Sequence, residues 1–277
     1  MTKQIMQKRT INKSIENIKL KKLSIQFSLD GFSFCTYNQE DKIINFAEFN
    51  FEKRVDNPQV LLEKIEAIFA SEVLLQEDFS EVLVIHQNNL STIVPTQFFD
   101  EKSLKDYLKY TIKVLNDDLI AFDEISSISA KNVYVPYVNI NNYIFQNFGV
   151  FEYKHHLSVL IEKLSAQNTS EEEHVFVNVS KNDLDIIILK GKELIFSNSF
   201  SFSTKEDFIY YILFVLEQLK LDTETVSLSF LGDIEKESEL YTIVYNYVRN
   251  VNFIKNNASF FTNETAISNH SNYILIN

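Results

Sequence analysis

Twice along this chain an alternating β-hairpin signal is followed by strand, helix, strand and helix patterns in turn, and that repeated order constrains the fold most. In the first occurrence, two apolar-rich runs, Leu23–Ser28 and Phe32–Tyr37, join through Asp30-Gly31, a strong hairpin signal. "KIINFAEFNF" (Lys42–Phe51) alternates as a third strand. Asn57-Pro58 then sets a capping residue and a first-turn proline before a helix with Leu61, Leu62, Ile65, Ile68 and Phe69 on one face. The second occurrence is "EEEHVFVNVSKNDLDIIILKGKELIFSNSF" (Glu171–Phe200), in which apolar and polar residues alternate on both sides of a short polar turn. Its third strand runs over Glu193–Phe202, and Ser203 with Glu206 reads as a capping box. The helix "DFIYYILFVLEQL" is apolar nearly all round, which predicts burial on more than one side. A period of two giving way to a period of 3.6, in the same order twice, predicts duplicated α/β units with mixed sheets.

Between the repeats, "EVLVIHQNNLSTIVP" (Glu81–Pro95) reads as strand, turn and strand, and Asp100 as the cap of a helix carrying Leu104, Leu108 and Ile112. Asp117–Ile125 and Asn132–Val138 read as strands, and "NINNYIFQNFG" as a short helix ending at Gly149. A strand near Val150–Tyr153 precedes a helix with Leu157, Leu160, Ile161 and Leu164. Beyond "TVSLSFLG" and the helix "ESELYTIVYNYV", Val251–Ile254 and Tyr273–Ile276 read as short strands. The loop between them, with Asn256, Asn257 and Asn263, carries no order signal. The expected organisation is a basic arm (1–22), a first domain (23–130) containing an inserted strand-turn-strand-helix (81–116), and a second domain (131–277).

Composition narrows the chemistry. Residues 1–22 hold seven Lys/Arg and one acid, net +6, while the remainder holds 19 and 37, net −18. An acidic body is a poor nucleic-acid partner, because phosphate contacts need clustered Lys and Arg. The arm is the exception: Ile11, Ile15 and Ile18 would share a helical face toward RNA or an acidic lipid surface, against the plainer reading of a solvated or folded-back arm. A single cysteine excludes an intramolecular disulfide framework, and no apolar run approaches a bilayer span, so a soluble cytoplasmic protein is expected. With Gly 4 and Pro 3, glycine-rich phosphate loops are scarce.

The strand order resembles the actin-like superfamily, which has two ribonuclease-H-like domains with a nucleotide cleft between them. Within it, Val82–Tyr110 and the Val175–Phe200 hairpin resemble the pilus-assembly PilM group. "LSIQFSLDGFSF" and "ESELYTIVYNYVRNVNFI" are more closely similar to an uncharacterised bacterial family, domain of unknown function 3822. The superfamily implies an acid and a glycine in each of two phosphate hairpins, to hold a metal's water shell and bring backbone amides to phosphate. Here Ser28 takes the first acid's place and Asp30-Gly31 reads as a tight turn; Asn178 and Ser180 take the places of the second acid and glycine. Of the adenosine-binding glycine cluster only Gly232 remains. Three eroded motifs argue against in-line phosphoryl transfer.

Other chemistry fares no better. Asp30, Asp183 and Asp185 could hold metals on neighbouring strands, but Asp30 and Asp183 sit where turns need polar residues. His155 and His156 point about 100° apart on a helix, which favours surface or helix-entry roles. Cys35 lies within a strand as a buried thiol, and no G-x-S-x-G, H-E-x-x-H or G-x-x-x-x-G-K motif occurs. The expectation is an α/β pair of ribonuclease-H-like domains with degenerate nucleotide motifs, more a scaffold or adaptor for another protein than an enzyme, with no catalytic residue, metal or cofactor. The alternative is a divergent ATPase holding Mg-ATP through Ser28, Asp30, Gly31, Asn178, Ser180 and Gly232.

Overall fold

The first alternating segments build one sheet. The computed structural model describes residues 7–12 (main chain), 21–115, 117–254 and 270–276. Strands β1 (Gln7–Asn12), β2 (Lys22–Ser28), β3 (Gly31–Tyr37) and β4 (Ile43–Asn50) lead to helix α1 (Pro58–Ser71) and β5 (Glu81–His86). Asn57 caps α1, its side chain accepting from the amides of Gln59 and Val60, with Pro58 in the first turn as its fixed φ allows. An excursion follows: β6 (Ser91–Pro95), a short α2 (Leu104–Leu108), β7 (Ala121–Ile125) and β8 (Ala130–Tyr134). Helix α3 (Val138–Phe148) then returns the chain to β9 (Glu152–His155). The large sheet has the order β1-β4-β3-β2-β5-β9, with β2 to β4 an antiparallel meander and β5 and β9 parallel to β2; β6, β8 and β7 form a separate antiparallel sheet.

Helix α4 (His156–Gln167) passes to the second large sheet, made of β10 (Glu173–Val179), β11 (Asp183–Lys190), β12 (Glu193–Ser201), β13 (Ser227–Gly232) and β14 (Asn250–Phe253). Helix α5 (Lys205–Gln218) joins β12 to β13, and α6 (Glu239–Tyr245) joins β13 to β14. The order β12-β11-β10-β13-β14 repeats β4-β3-β2-β5-β9 strand for strand, antiparallel and parallel pairings included. The halves therefore share one topology.

Each sheet packs its helices over its own core, Ile25, Phe34, Leu61 and Ile68 in the first, Val177, Ile186, Phe208 and Phe230 in the second. A third cluster lies between them, joining Phe46 and Ile85 of the first sheet, Leu160 and Leu164 of α4, Ile187 and Leu231 of the second sheet, and Tyr273 to Leu275. Burial of so many fully enclosed side chains between the halves is the dominant force holding them as one body.

Several expectations are corrected. The cut near residue 130 separates strands that share sheets, for β8 pairs with β6 and β7, and β9 with β5; the chain changes large sheets only across α4. Residues Gln7–Asn12 extend the sheet along β4 instead of forming a helix, so an edge that would offer unpaired amides is covered by the arm; Ile15 and Ile18 lie outside the described residues, as do Asn256, Asn257 and Asn263. The helix after Asp100 is a 3-10 turn (Glu101–Ser103) and the five-residue α2, leaving Ile112 beyond it. The capping box is Thr204 with Asp207, one residue later than expected, because Thr204 has the extended backbone an N-cap needs. Helix α5 covers one side of its sheet and leaves Tyr210 59% and Phe214 41% exposed. Residues 273–275 lie in a turn that spans 270–275, and Ile276 N donates to Asn272 O at 3.0 Å.

Candidate functional site: the cleft between the hairpin tips

The two equivalent hairpins, β2–β3 and β10–β11, present their turns to one another. Ser28 pairs with Gly31 across the first turn, so the turn residues are Leu29 and Asp30 and Gly31 already belongs to β3. The Ser28 hydroxyl accepts from the Asp30 amide at 3.1 Å. Where the actin-like pattern would place an acid, a serine braces the turn. Phe51 N donates to Asp30 O at 2.9 Å and Val55 N to Leu29 O at 2.8 Å, which straps the loop after β4 along this turn and sets Arg54 beside it.

Arg54 bridges the two hairpins. One nitrogen, Nη1, donates to Asp30 Oδ2 at 2.9 Å and to Asp183 Oδ2 of the opposite hairpin at 2.6 Å. Asn182 Nδ2 donates to Asp30 Oδ1 at 2.7 Å, and Lys181 Nζ crosses to the carbonyls of Phe51 and Glu52 at 2.8 and 3.0 Å. Burial pushes the Asp30 carboxyl above its ordinary range, with Arg54 and Asn182 pulling against it. Burial also works against the Arg54 charge, but Asp183 and Asp30 raise its pKa in net. Such charge-assisted bonds are stronger than neutral ones, and here they link residues of two domains.

All six residues expected to hold a nucleotide, Ser28, Asp30, Gly31, Asn178, Ser180 and Gly232, line one cavity of about 110 Å³ at this point. Each of them is engaged by the protein itself. Asn178 is buried and donates to Asp185 Oδ2 at 2.8 Å. Ser180 closes its own turn, N and Oγ both donating to Asp183 O at 2.9 and 3.0 Å. A Cβ at Gly31 would lie 2.9 Å from Phe49 O, a matter of strand approach rather than of a ligand. At Gly232, with φ +87°, a Cβ would lie 2.2 Å from Val179 O, and its amide donates to His270 O at 2.9 Å. Ser271, Asn272, Tyr273 and Ile274 supply part of the wall.

This arrangement does not fit a metal-bound triphosphate. Sites for such ligands span roughly 300 Å³ or more, and the cavity is well short of that. Its lining carries Asp30, Glu48 and Asp233 against a single cation, Lys181, whose ammonium is already given to carbonyls. Phosphate recognition needs the opposite balance, with converging amides and cations.

The other polar candidates separate from the cleft. Asp183 shares Arg54 with Asp30, whereas Asp185 lies deeper, accepting from His156 Nε2 at 3.1 Å and from Ser199 Oγ at 2.5 Å. Burial pushes the Asp185 carboxyl up, but His156 beside it and the bonds from His156, Ser199 and Asn178 hold it below its ordinary range. His155 and His156 do mark the helix entry, the His155 ring accepting from the Leu157 amide, yet neither is at the surface. Both are buried because β9 and the start of α4 run through the middle of the molecule. Cys35 is enclosed as expected, and burial pushes its thiol up to about 12. Sequence spacing could not reveal Arg54, whose two partners lie 24 and 129 residues away.

Comparison with known proteins bears on the fold and the family. A Bacteroides thetaiotaomicron VPI-5482 protein described as having an actin-like ATPase fold and unknown function is similar, with TM-score 0.74 and 21% identity over 86% of this chain and 91% of that one. The PilM–PilN type IV pilus biogenesis complex is similar with TM-score 0.51 and 12% identity, over 84% of this chain and 88% of that one. The fold is thus actin-like. No curated protein matches the chain. No helix among the described residues is long and apolar enough to cross a membrane. The family described as protein of unknown function (DUF3822) matches over residues 10–251, and the chain belongs to it.

Proposed function

We propose that this protein is a non-catalytic actin-like scaffold that works in the cytoplasm by binding another protein, with its former nucleotide cleft locked by its own side chains. The observation that carries the reading is Arg54, which bridges Asp30 and Asp183 across the place where the superfamily would hold phosphates. Supporting it, the residues in the phosphate-motif positions serve turns and strand pairing, and the cavity they leave favours neither the size nor the charge of Mg-ATP. The exposed Tyr210–Phe214 stack on α5 offers aromatic surface of the kind enriched in partner interfaces. A protein of this fold occurs together with a partner in the PilM–PilN structure, in keeping with a partner-binding role. Isothermal titration of Mg-ATP into the full chain is expected to give no heat of binding; a micromolar complex would refute the scaffold reading.

The second reading, a divergent ATPase, draws on the convergence of all six motif positions on one cavity. It requires the roughly 110 Å³ cavity to widen before ligand enters. Phosphate release that is lost on changing Ser180 to Trp would favour it, and release that survives the change would count against it.

A further inference from the structure

Residues 270–276 are held in a manner that nothing in the strand order requires. His270 and Tyr273 to Ile276 are at most 8% exposed, and Tyr273, Ile274 and Leu275 join the cluster between the two sheets. The hydrogen bonds that fix them go chiefly to main-chain carbonyls, and the donors come from three different places. Lys163 Nζ of α4 donates to Tyr273 O, Ile274 O and Ile276 O at 3.0, 2.8 and 2.8 Å. Tyr37 OH of the first sheet donates to Leu275 O at 2.7 Å. Gly232 N of the second sheet donates to His270 O at 2.9 Å, and His270 Nε2 returns a bond to Ile234 O at 2.5 Å. Both halves and their connecting helix therefore converge on one short peptide. Burial pushes the Lys163 ammonium down to about 8, and the three carbonyls are the groups that compensate it there.

The location is equally specific. This peptide contacts Gly232, the one glycine left where the actin-like pattern would place adenosine, and its residues 271 to 274 form a wall of the cleft.

We propose that the space between the two sheets is a peptide-binding site, read through backbone carbonyls and filled in cis by residues 270–276, which join the halves where the superfamily uses a nucleotide. The inference rests on the scaffold reading above. Carbonyl recognition by an ammonium, a phenol and an amide tolerates side-chain change but requires the turn, so the ligand class is a short turn-forming peptide with apolar side chains. Its attachment to the body runs through residues 255–269, and cutting that span tests whether the peptide acts as a ligand.

A protease recognition site inserted after Asn263 in the otherwise full chain allows this. After cleavage, the fragment carrying 270–276 is expected to co-elute with the body on gel filtration, and unfolding is expected to remain a single transition. Lys163→Met in the cut protein is expected to speed fragment loss at least tenfold, while the exposed control Gln167→Ala leaves it unchanged; the uncut Lys163→Met chain, in which the peptide stays tethered, shows whether that variant folds. A fluorescent synthetic peptide covering 268–277 should rebind the stripped body. A fragment that leaves at once while the body keeps its melting temperature and single transition would overturn the proposal. So would Lys163→Met and Gln167→Ala retaining the fragment equally. Either of those results, with no Mg-ADP binding by the intact chain, defeats the inference and leaves the scaffold reading standing. Mg-ADP binding only after the fragment is stripped supports both, whereas binding with the fragment seated defeats both.

Discussion

At the residue scale, Arg54 and His86 show how a side chain's neighbours determine its effect. Arg54 is about one-third exposed, so its bridge is screened more than a fully buried one. Removing it nevertheless leaves the nearly buried Asp30 carboxylate short of its main counter-charge. Arg54→Met is expected to lower stability by about 2 kcal/mol, below the cost of breaking a fully buried pair. Urea unfolding monitored by circular dichroism checks this, and an unchanged midpoint would show that the bridge adds nothing. His86 is fully buried, its Nε2 donating to Asn141 Oδ1 at 2.8 Å and its Nδ1 accepting from the Tyr137 amide at 3.2 Å. A second ring proton would meet that amide, and burial lowers the His86 pKa from its ordinary 6.5 to about 4. A group whose pKa falls on folding stabilises fully above the unfolded value and loses that contribution as the pH drops toward the folded one. Stability is therefore expected to fall by about 3 kcal/mol between pH 6.5 and pH 4 from this residue. His155, buried beside Asn132 and Asn88, shifts the same way. His86→Asn should flatten the slope of stability against pH in that window; an unaltered slope would assign it elsewhere.

At the element scale, the two hairpins illustrate how one shape forms with different residues at its turn. Their registers come from alternation and from turn geometry, and both survive without an acid or a glycine at the phosphate positions. Gly232 is retained for a backbone reason: the β10–β13 pairing brings Val179 within contact of the space a Cβ would fill. Gly232→Ala is expected to cost more than 3 kcal/mol or to prevent folding, since backbone must shift. Gly191→Ala, also at positive φ but with nothing within 4 Å, should cost about 1 kcal/mol. Equal thermal midpoints for the two variants would refute the close-approach argument. The hairpins, α1 and α3 through α6 were legible in the sequence because their periodicity and caps are local. The capping box slipped by one residue, because Ser203 and Thr204 are chemically alike and only backbone conformation chooses between them.

At the scale of the whole molecule, the sheets and their interface decide the rest. The arm strand β1 covers β4, the outer edge of the first sheet, with six paired residues. Deleting residues 1–12 uncovers that edge, and the shortened chain is expected to self-associate, seen as concentration-dependent light scattering, because an open edge templates another strand. A monomer at every concentration tested would show that the edge needs no cover. The actin-like pairing of two like sheets was readable as a repeated order of elements, whereas the boundary near residue 130 was misplaced. No linker composition marks the change of sheet, which takes place within α4, a helix with His156, Leu160, Ile161 and Leu164 buried.

The sequence by itself determined most of the strands and helices of the two halves, that the series is built twice, and that the residues of the phosphate-motif pattern are replaced, because these properties follow from residues a few positions apart. Only the tertiary structure decided what occupies the space between the two hairpins. Arg54 finds Asp30 and Asp183, and Lys163 finds the carbonyls of residues 273, 274 and 276, across separations of 24 to 129 residues. Polar contacts at that range follow no period, and they exist only once burial of the central core has brought the two halves together.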